Sequence, residues 1–511
     1  MNAILRNRLS RNQRRIQRRL DKTKTIRGDR PVLSASNIHY EIADRVHGIS
    51  YGGIGAFHLL AQKIGLVDAI NERLHLLKIH LPYHESDHVL NLAYNPLCHG
   101  DCIQDIELRR NDINFLDALG AQRIPDPTTA GDFCRRFSEE AINTLQDIFD
   151  DVRVRVWRQQ PAAYFERAIL DADGTLVETA GEKKEGIDIA YDGTWGYHPL
   201  LITLANTGET LRLINRPGNR PSHEGAADAI DRAAATCLRG GFRRVLMRGD
   251  TDFSQTKHLD RWNNDGRIDF IFGYDAMPNL VAIAENLPEN AWQPLQRRQP
   301  PPPKTEPRQR GPNLKDPIVR AHGFETLRLQ SEDIAEFPYR PTACRTEYRM
   351  VVVRKNISKE KGEQRLFDEI RYFFYITNQW SPKAADIVLA PKGANGRCQQ
   401  ENLIEQQHNG VHALGAPLDT LLSNWAYMVM TSLAWNLKAW AALMLPETGR
   451  WSEQYRADKA WLLRIEFKTF INALVAIPCQ IVKQARRIIY RVLNYNPYQR
   501  IFFRLLDVLR C

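Results

Sequence analysis

The sequence predicts an α/β protein: a core with a mixed sheet, an all-helical segment before it and helices after it. Residues 46–160 carry apolar residues at three- and four-residue spacing, which is typical of amphipathic helices. After residue 160 the pattern changes to short apolar strands separated by turns and by one helix. Residues 280–385 contain further strands on either side of a charged turn, so we expect a β-rich insertion in the core.

Length and composition are those of a globular protein. The 511 residues suffice for several domains, and 43% hydrophobic with 25% charged content excludes disorder of the whole chain. The eight cysteines are scattered, which suits a reducing compartment better than a disulfide scaffold. Cys98 and Cys102 form the one close pair, and no second pair at zinc spacing follows them.

Positive charge is concentrated in a basic N-terminal arm, residues 1–45. Within it, residues 1–30 hold eleven Lys and Arg against two Asp, and so carry nine of the ten net positive charges of the chain. A basic arm on a nearly neutral body favours nucleic-acid binding, because each neutralised phosphate releases counterions. A solvated tail or a targeting peptide is the alternative, although the arm lacks the apolar stretch of a secretory signal.

Residues 46–160 are predicted to form a helical DNA-binding domain. The stretches "GIGAFHLLAQKIGLVDAINERL" and "DFCRRFSEEAINTLQDIFDDV" have helical periodicity. Four arginines are expected on exposed helix faces: Arg109, Arg110, Arg135 and Arg136.

Residues 161–279 are predicted to form the first part of the core. "AILDADGT" is a strand with an acidic end, and two more strands flank a turn at residues 206–208. A helix closed by Gly240 and Gly241 then leads to the buried strand "RRVLMRGD". Antiparallel strands, a crossover helix and another strand indicate a mixed sheet.

The insertion, residues 280–385, contains a proline-rich basic linker at residues 297–317, which can be neither helix nor central strand. Its two clear strands are "EYRMVVVRK" and "EIRYFFYITN", with "NISKEKGEQR" as the charged turn between them. Residues 386–445 are predicted to return to the core, and residues 446–511 to form a C-terminal helical region.

The segment Leu418–Leu445 is long enough to cross a bilayer. Three polar residues interrupt it: Asn424, Asn436 and Lys438. We therefore predict a buried helix rather than a membrane span, and no membrane partner.

Acidic residues occur where an α/β core can bring them together. Asp171 and Asp173 lie two apart on a strand and share a face, and Asp250 follows a strand at its carboxyl end. Glu401 or Glu405 would approach from a helix packed across the sheet. Taken singly, these residues have other interpretations: "DADGT" resembles a calcium loop without its full spacing, and the others could be solvated or ion-paired.

In their chain order, the acidic residues resemble those of the DDE transposases of bacterial insertion sequences (transposase DDE domain group 1 type), which have an RNase H-like core. The branch concerned carries a β-insertion before a third motif, Y-x-x-R-x-x-x-E-x-x-x-x-x-x-K. Arg397 and Glu401 match that motif, and its register selects Glu401 over Glu405.

The first two motifs resemble the same family. "LDADGT" is similar to its first-aspartate strand, whose D-x-T register favours Asp173 over Asp171. "RGDTDFS" is similar to R-x-D-S-x-F, which implies that the second aspartate is Asp250.

Two positions depart from the family pattern: Ala394 stands where the motif has Tyr, and His408 where it has Lys. In the family these side chains contact phosphates near the transposon end. The resemblance therefore implies phosphate binding by Arg397 and, with a charge that depends on pH, by His408.

The resemblance implies two Mg²⁺ ions, with Mn²⁺ as a possible substitute, bridged by Asp173 and completed by Asp250 and Glu401. Such a site cleaves DNA at the element's ends with water and joins the freed 3′-hydroxyl to target DNA. The implied partners are double-stranded DNA, as terminal inverted repeats and target, and a second copy of the chain in the complex with paired ends. We expect a bacterial cytoplasmic protein, associated with the nucleoid when bound to DNA.

Two alternatives remain from the sequence. One is an RNase H-like nuclease that cuts DNA without strand transfer. The other is a catalytically inactive DNA-binding derivative, against which the complete acidic triad argues.

Overall fold

The computed structural model describes most of the chain: residues 3–25, 38–40, 47–80, 82–297, 317–318, 321–322, 325–361, 364–484 and 487–510. The predicted proline-rich linker at residues 297–317 lies, apart from its two end residues, outside this part of the chain. So do residues 1–2, 26–37 and 41–45 of the predicted basic arm.

Helices dominate the chain before the sheet, as the sequence predicts. The basic arm contains a helix, and a short strand and seven more helices follow. These elements are α1 (Ala3–Thr25), β1 (Gly48–Ile49), α2 (Ile54–Lys63), α3 (Leu66–Arg73), α4 (Glu85–Leu97), α5 (Ile106–Arg110), α6 (Ile113–Leu119), α7 (Pro127–Cys134) and α8 (Glu139–Trp157).

Side-chain caps define the starts of two helices in this segment. Asp126 caps α7 by accepting a hydrogen bond from the Thr129 amide, and Ser138 caps α8. One expectation about its arginines is wrong: Arg109 is buried, because its guanidinium donates to main-chain carbonyls of Asp105 and Cys98.

The core begins with six strands in succession, after which helices and strands alternate up to residue 294. The hairpin turn predicted at residues 206–208 is confirmed, with Gly208 at a φ of 75°. The elements are β2 (Ala168–Gly174), β3 (Val177–Glu178), β4 (Asp188–Ile189), β5 (Trp195–Tyr197), β6 (Leu200–Leu204), β7 (Glu209–Ile214), α9 (Ala226–Gly240), β8 (Val245–Gly249), α10 (Thr256–Asn264), β9 (Ile268–Tyr274), α11 (Pro278–Glu285) and β10 (Gln293–Pro294).

Five of these strands form an RNase H-like core in the order β7-β6-β2-β8-β9. Strands β2, β8 and β9 run parallel, whereas β6 is antiparallel to β2 and to β7. The carboxyl ends of β2 and β8 therefore meet at one edge of the sheet, where ligands usually bind in open α/β sheets.

The β-rich insertion extends this sheet rather than forming a separate layer. Its strands are β11 (Glu325–Tyr339), β12 (Tyr348–Lys361) and β13 (Gln364–Thr377). β13 joins β9 over residues 374–377 only, which gives a nine-stranded sheet. The charged turn was predicted to be longer than it is. Most of its residues belong to β12 and β13, whose pairing continues to Lys361 and Gln364.

After the insertion the chain returns as helices and a hairpin. The C-terminal region, predicted to be helical, also contains two strands, and the β-branched residues that favour them were missed. The elements are α12 (Ala384–Leu389), α13 (Cys398–Glu405), α14 (Leu421–Met444), α15 (Ser452–Arg464), α16 (Phe467–Phe470), β14 (Cys479–Gln484), β15 (Arg487–Val492) and α17 (Gln499–Arg510).

Helix α14 is the predicted buried helix and lies in the hydrophobic core. Trp440 is fully buried, and its indole donates to the Glu209 carboxylate at 2.8 Å. The indole of Trp157 on α8 donates to the same carboxylate at 2.9 Å. The buried Glu209 of β7 therefore has hydrogen-bond partners from both α8 and α14, and it connects these two helices to the sheet. Among the described residues, no helix combines the length and apolarity that a membrane crossing requires.

Candidate active site at the ends of two parallel strands

The register of β2 against β8 arranges four side chains as two rungs of a ladder. Asp171 pairs with Arg248 across the two parallel strands. Two residues further on, Asp173 ends one strand and Asp250 follows the other, and alternate residues of a strand share a face. We call Asp171 and Arg248 the lower rung, and Asp173 and Asp250 the upper rung.

The lower rung is a closed ion pair. Nε of Arg248 lies 2.6 Å from one carboxylate oxygen of Asp171, and Nη2 lies 2.7 Å from the other. Both side chains are 2% exposed. A bidentate pair of this kind leaves Asp171 without free oxygens for a metal, which favours Asp173 as the first site residue.

The upper rung carries two carboxylates that one guanidinium shares. Arg397 donates from Nη1 to Asp173 at 2.7 Å, and its Nη2 lies 3.7 Å from Asp250. The exposed fractions are 16% for Asp173, 37% for Asp250 and 19% for Arg397. The rung is therefore partly exposed to solvent, mainly at Asp250.

Burial and mutual repulsion perturb these groups. Loss of hydration, opposed by Arg397 and reinforced by the Asp250 charge, raises the pKa of Asp173 to about 6. Loss of hydration also raises the pKa of Asp250. Burial opposes the charge of Arg397, but the two carboxylates outweigh it and raise the Arg397 pKa. Arg397 is shared between the two acids, and its attraction does not compensate for the hydration free energy that each carboxylate loses on burial.

Asp250 is held by its own turn and by a glycine. Its carboxylate accepts the Asp252 amide at 3.0 Å, which caps a single 3₁₀ turn, Thr251–Phe253. Gly273 of β9 lies so close that a Cβ there would be 2.8 Å from the Thr251 nitrogen and 2.9 Å from the Asp250 carbonyl carbon. Only glycine allows this approach of the second aspartate to β9.

Helix α13 presents the third predicted residue. Arg397 precedes its first turn, and Glu401 lies one turn later on the same helical side. The buried side is fixed on the sheet, because Thr203 donates to Gln400 and Gln407 donates to Thr210 at 3.1 Å.

His408 follows in a π-helical turn, Gln406–Gly410, a geometry that is frequent at functional sites. Its Nε2 lies 3.2 Å from Oγ1 of Thr175, two residues beyond Asp173. Burial lowers the pKa of His408 and so favours the neutral imidazole. A Lys at this position would carry a permanent charge, whereas His408 does not.

The structure thus brings Asp173, Asp250 and Arg397 together, with His408 nearby. Glu401 and Glu405 are both exposed. Within the described ranges, no three acidic, His or Cys side chains are close enough to hold a metal ion. Glu401 is therefore on the expected helix but not in contact with the two aspartates.

Asp173 and Asp250 supply two of the carboxylate donors that a divalent cation at the upper rung requires. Arg397 contacts both aspartates, so their oxygens already converge on one positive group. Carboxylate oxygens are the hard ligands that Mg²⁺ and Mn²⁺ prefer.

Three further residues near the site were missed by sequence reasoning. Asp252 and Asp275 add negative charge beside Asp250 and raise its pKa further. Arg248 lies within "RGDTDFS", but the sequence predicts no role for it. Its spacing was a usable signal, since Arg248 precedes Asp250 by two residues as Asp171 precedes Asp173.

Acidic residues at adjacent ends of parallel strands, with a glutamate-bearing helix after an insertion, define the class of RNase H-like enzymes that cleave nucleic acids. Within this class, the model of the family described as transposase DDE domain group 1 matches residues 44–511. The chain belongs to that family.

One similar solved structure is that of the piggyBac transposase, determined by cryo-EM as a synaptic complex with hairpin DNA. The identity is 10% and the TM-score 0.37, over 83% of this chain and 79% of that chain. No curated protein matches the sequence significantly.

The raised pKa of Asp173 predicts a pH-dependent stability without divalent ions. The folded state holds the proton of Asp173 to about pH 6, whereas the ordinary value is 3.8. The folded state therefore binds more protons between these values, and the contribution of Asp173 to stability falls as pH rises through that window. We expect Asp173→Asn to remove this fall, in urea unfolding measured with a chelator across the whole window from 3.8 to about 6 and at pH values on either side of it. Equal pH profiles of the two proteins would contradict it.

Proposed function

We propose that this protein is the transposase of a bacterial insertion sequence, which binds the ends of its element, cleaves them and joins the 3′-hydroxyl ends to target DNA. The observation that carries the proposal is the upper rung: two aspartates at the carboxyl ends of parallel strands, beside an arginine. Family membership over residues 44–511 supports it.

Asp173, Asp250 and Glu401 are the residues that would hold divalent cations, Mg²⁺ or Mn²⁺. When bound, two such ions activate the attacking oxygen and stabilise the leaving oxygen of a phosphodiester. Asp173 serves this role because it is poorly hydrated and repelled by Asp250, so an additional positive charge is favoured there. Glu401 must approach the aspartates on binding.

Arg397 and His408 are proposed to position the DNA backbone. Arg397 carries five donors in a planar fork, of which only some engage the aspartates, and the rest suit phosphate oxygens. His408, neutral and next to Thr175, can donate one hydrogen bond without adding charge.

Helix α1 supports DNA as the partner. Four of its arginines are exposed at spacings of three and four residues and share one side of the helix: Arg11, Arg14, Arg15 and Arg18. Such a stripe suits the phosphates of a duplex, and binding through it would weaken steeply with salt. We further propose a dimer on paired ends, and a location in the bacterial cytoplasm at the nucleoid.

The test uses the purified chain and DNA that carries the sequences flanking its coding region. We expect matched inverted repeats in that DNA, Mg²⁺- or Mn²⁺-dependent cleavage at their ends, and covalent joining of the ends to a supercoiled plasmid. Sequencing gels report the cleavage, and plasmid linearisation reports the joining.

Two outcomes would contradict the proposal. Cleavage that ignores the repeats and never yields joined products would indicate a nuclease without strand transfer. Specific binding without cleavage in either metal would indicate an inactive DNA-binding derivative.

A further inference from the structure

Arg248 links the chain segments that lead into Asp173, Asp250 and Arg397. Its Nε and Nη2 bind Asp171 on β2, as described above. Its Nη1 donates to the main-chain oxygens of Gly393 at 2.9 Å and Pro391 at 3.3 Å. One guanidinium thus joins β2, β8 and the loop before α13.

Each of these segments leads into a site residue within a few positions. Asp173 is two residues beyond Asp171, and Asp250 is two residues beyond Arg248. The loop oxygens at Pro391 and Gly393 lie just before Arg397, which begins the helix of Glu401. The side chain is therefore placed to set the three segments relative to one another.

The loop is packed tightly on this guanidinium. A Cβ on Gly396 would lie 2.4 Å from Nη1 of Arg248 and 2.1 Å from the Pro391 oxygen. A Cβ on Gly393 would lie 2.6 Å from the Asp386 oxygen. Both approaches require glycine, so the loop packs closely on Arg248 at Gly396 and on α12 at Gly393.

The need for such a contact follows from the chain order. β9 ends at Tyr274 and α13 begins at Cys398, so a long insertion separates the first two aspartates from the third motif. The insertion meets β9 over only four residue pairs. Bringing the distant segment back costs loop entropy, and specific contacts near the site must offset it.

We propose that Arg248 is a positioning residue that orients α13, with Arg397 and Glu401, against Asp173 and Asp250, and that Asp171 serves to hold Arg248 in place. The inference rests on the proposed function. It gives Asp171 a structural role without catalytic chemistry.

The test compares Arg248→Lys with Arg244→Lys in the full chain. Arg244 also belongs to a bidentate pair, with Asp269 at 2.6 and 3.2 Å, but lies at the other end of β8. A lysine at position 248 can bind Asp171 or the loop oxygens, not both. We expect amide hydrogen exchange of residues 386–405 to accelerate at least tenfold in Arg248→Lys and to stay unchanged in Arg244→Lys.

Cleavage kinetics provide the second readout. In Arg248→Lys we expect kcat to fall about tenfold or more, and we expect a higher Mn²⁺ concentration for half-maximal rate. Affinity for the DNA ends should fall by less than kcat does, because Arg397 is only one of the proposed phosphate contacts. Gly396→Ala should reproduce both effects, because its Cβ forces the loop away from Arg248 while Asp171 and Arg248 keep their own side chains. It also replaces Arg248→Lys if that variant does not fold.

Wild-type exchange in residues 386–405 of Arg248→Lys, or equal acceleration in both lysine variants, would overturn the positioning role. Loss of DNA binding together with kcat would also overturn it, since it would show a general defect. If the wild-type protein cleaves no DNA, the proposed function fails, while the exchange measurement still decides the positioning role.

Discussion

Asp173→Asn is expected to lower the rate of DNA cleavage about 1000-fold, which corresponds to about 4 kcal/mol of transition-state stabilisation. The amide cannot replace an ionised carboxylate as a cation ligand. At the same time the variant should unfold at higher urea concentration than wild type at pH 7.5, because it lacks the poorly hydrated charge beside Asp250. Single-turnover cleavage and urea unfolding without metal measure the two effects.

Asp171→Asn is the matched control, two residues away on the same strand face. It breaks the buried bidentate pair with Arg248 and should destabilise the protein by about 3 kcal/mol. It should slow cleavage far less than Asp173→Asn does. If Asp171→Asn abolished cleavage and Asp173→Asn did not, the choice of first aspartate would be wrong.

Glu401→Gln is expected to reduce cleavage by a similar factor of about 1000, since it removes the third carboxylate. Stability should change little, because the side chain is exposed. Glu405→Gln, an equally exposed glutamate on the same helix, is the control and should cleave at nearly the wild-type rate. Multiple-turnover assays over a range of Mn²⁺ concentrations distinguish weakened metal binding from lost chemistry.

The opposite result, a silent Glu401→Gln and an inactive Glu405→Gln, would shift the third motif by one helical turn. If both variants were fully active, the two aspartates would act without a glutamate from α13.

The two aspartates of the upper rung, which are proposed to bind metal, destabilise the folded protein when no metal is bound. Two acids that lose hydration and repel each other are costly in the folded protein, and Arg397 offsets only part of that cost. Strongly perturbed groups of this kind are common at catalytic sites. Arg397 has two roles in this account: it neutralises the aspartates without metal, and it is proposed to bind phosphate in the working complex.

Much of the core followed from local patterns. The strand with Asp171 and Asp173, the hairpin at residues 206–208 and the buried α14 are encoded by alternation, a turn glycine and a long apolar run. The proximity of Asp173 and Asp250 was also predictable, because parallel strands place their carboxyl ends together.

Other features depend on long-range contacts that no local pattern specifies. The insertion strands join the core sheet through residues 374–377, which look like any other part of their strand. Arg109 has the sequence context of a surface arginine. Its side chain is nevertheless buried and donates hydrogen bonds to the main-chain carbonyls of Asp105 and Cys98. The pairing of Asp171 with Arg248 depends on the register between two strands, and the two residues are 77 positions apart in the sequence. Local sequence patterns do not specify a register over that separation.

The most direct test of the central claim is anomalous scattering from Mn²⁺ in crystals of the protein with DNA ends. We predict manganese bound by carboxylate oxygens of Asp173 and Asp250, with Glu401 moved in as the third ligand and Asp171 still paired with Arg248. Manganese at Asp171 or Glu405, or an upper rung that keeps Arg397 and takes up no metal at saturating Mn²⁺, would contradict the account.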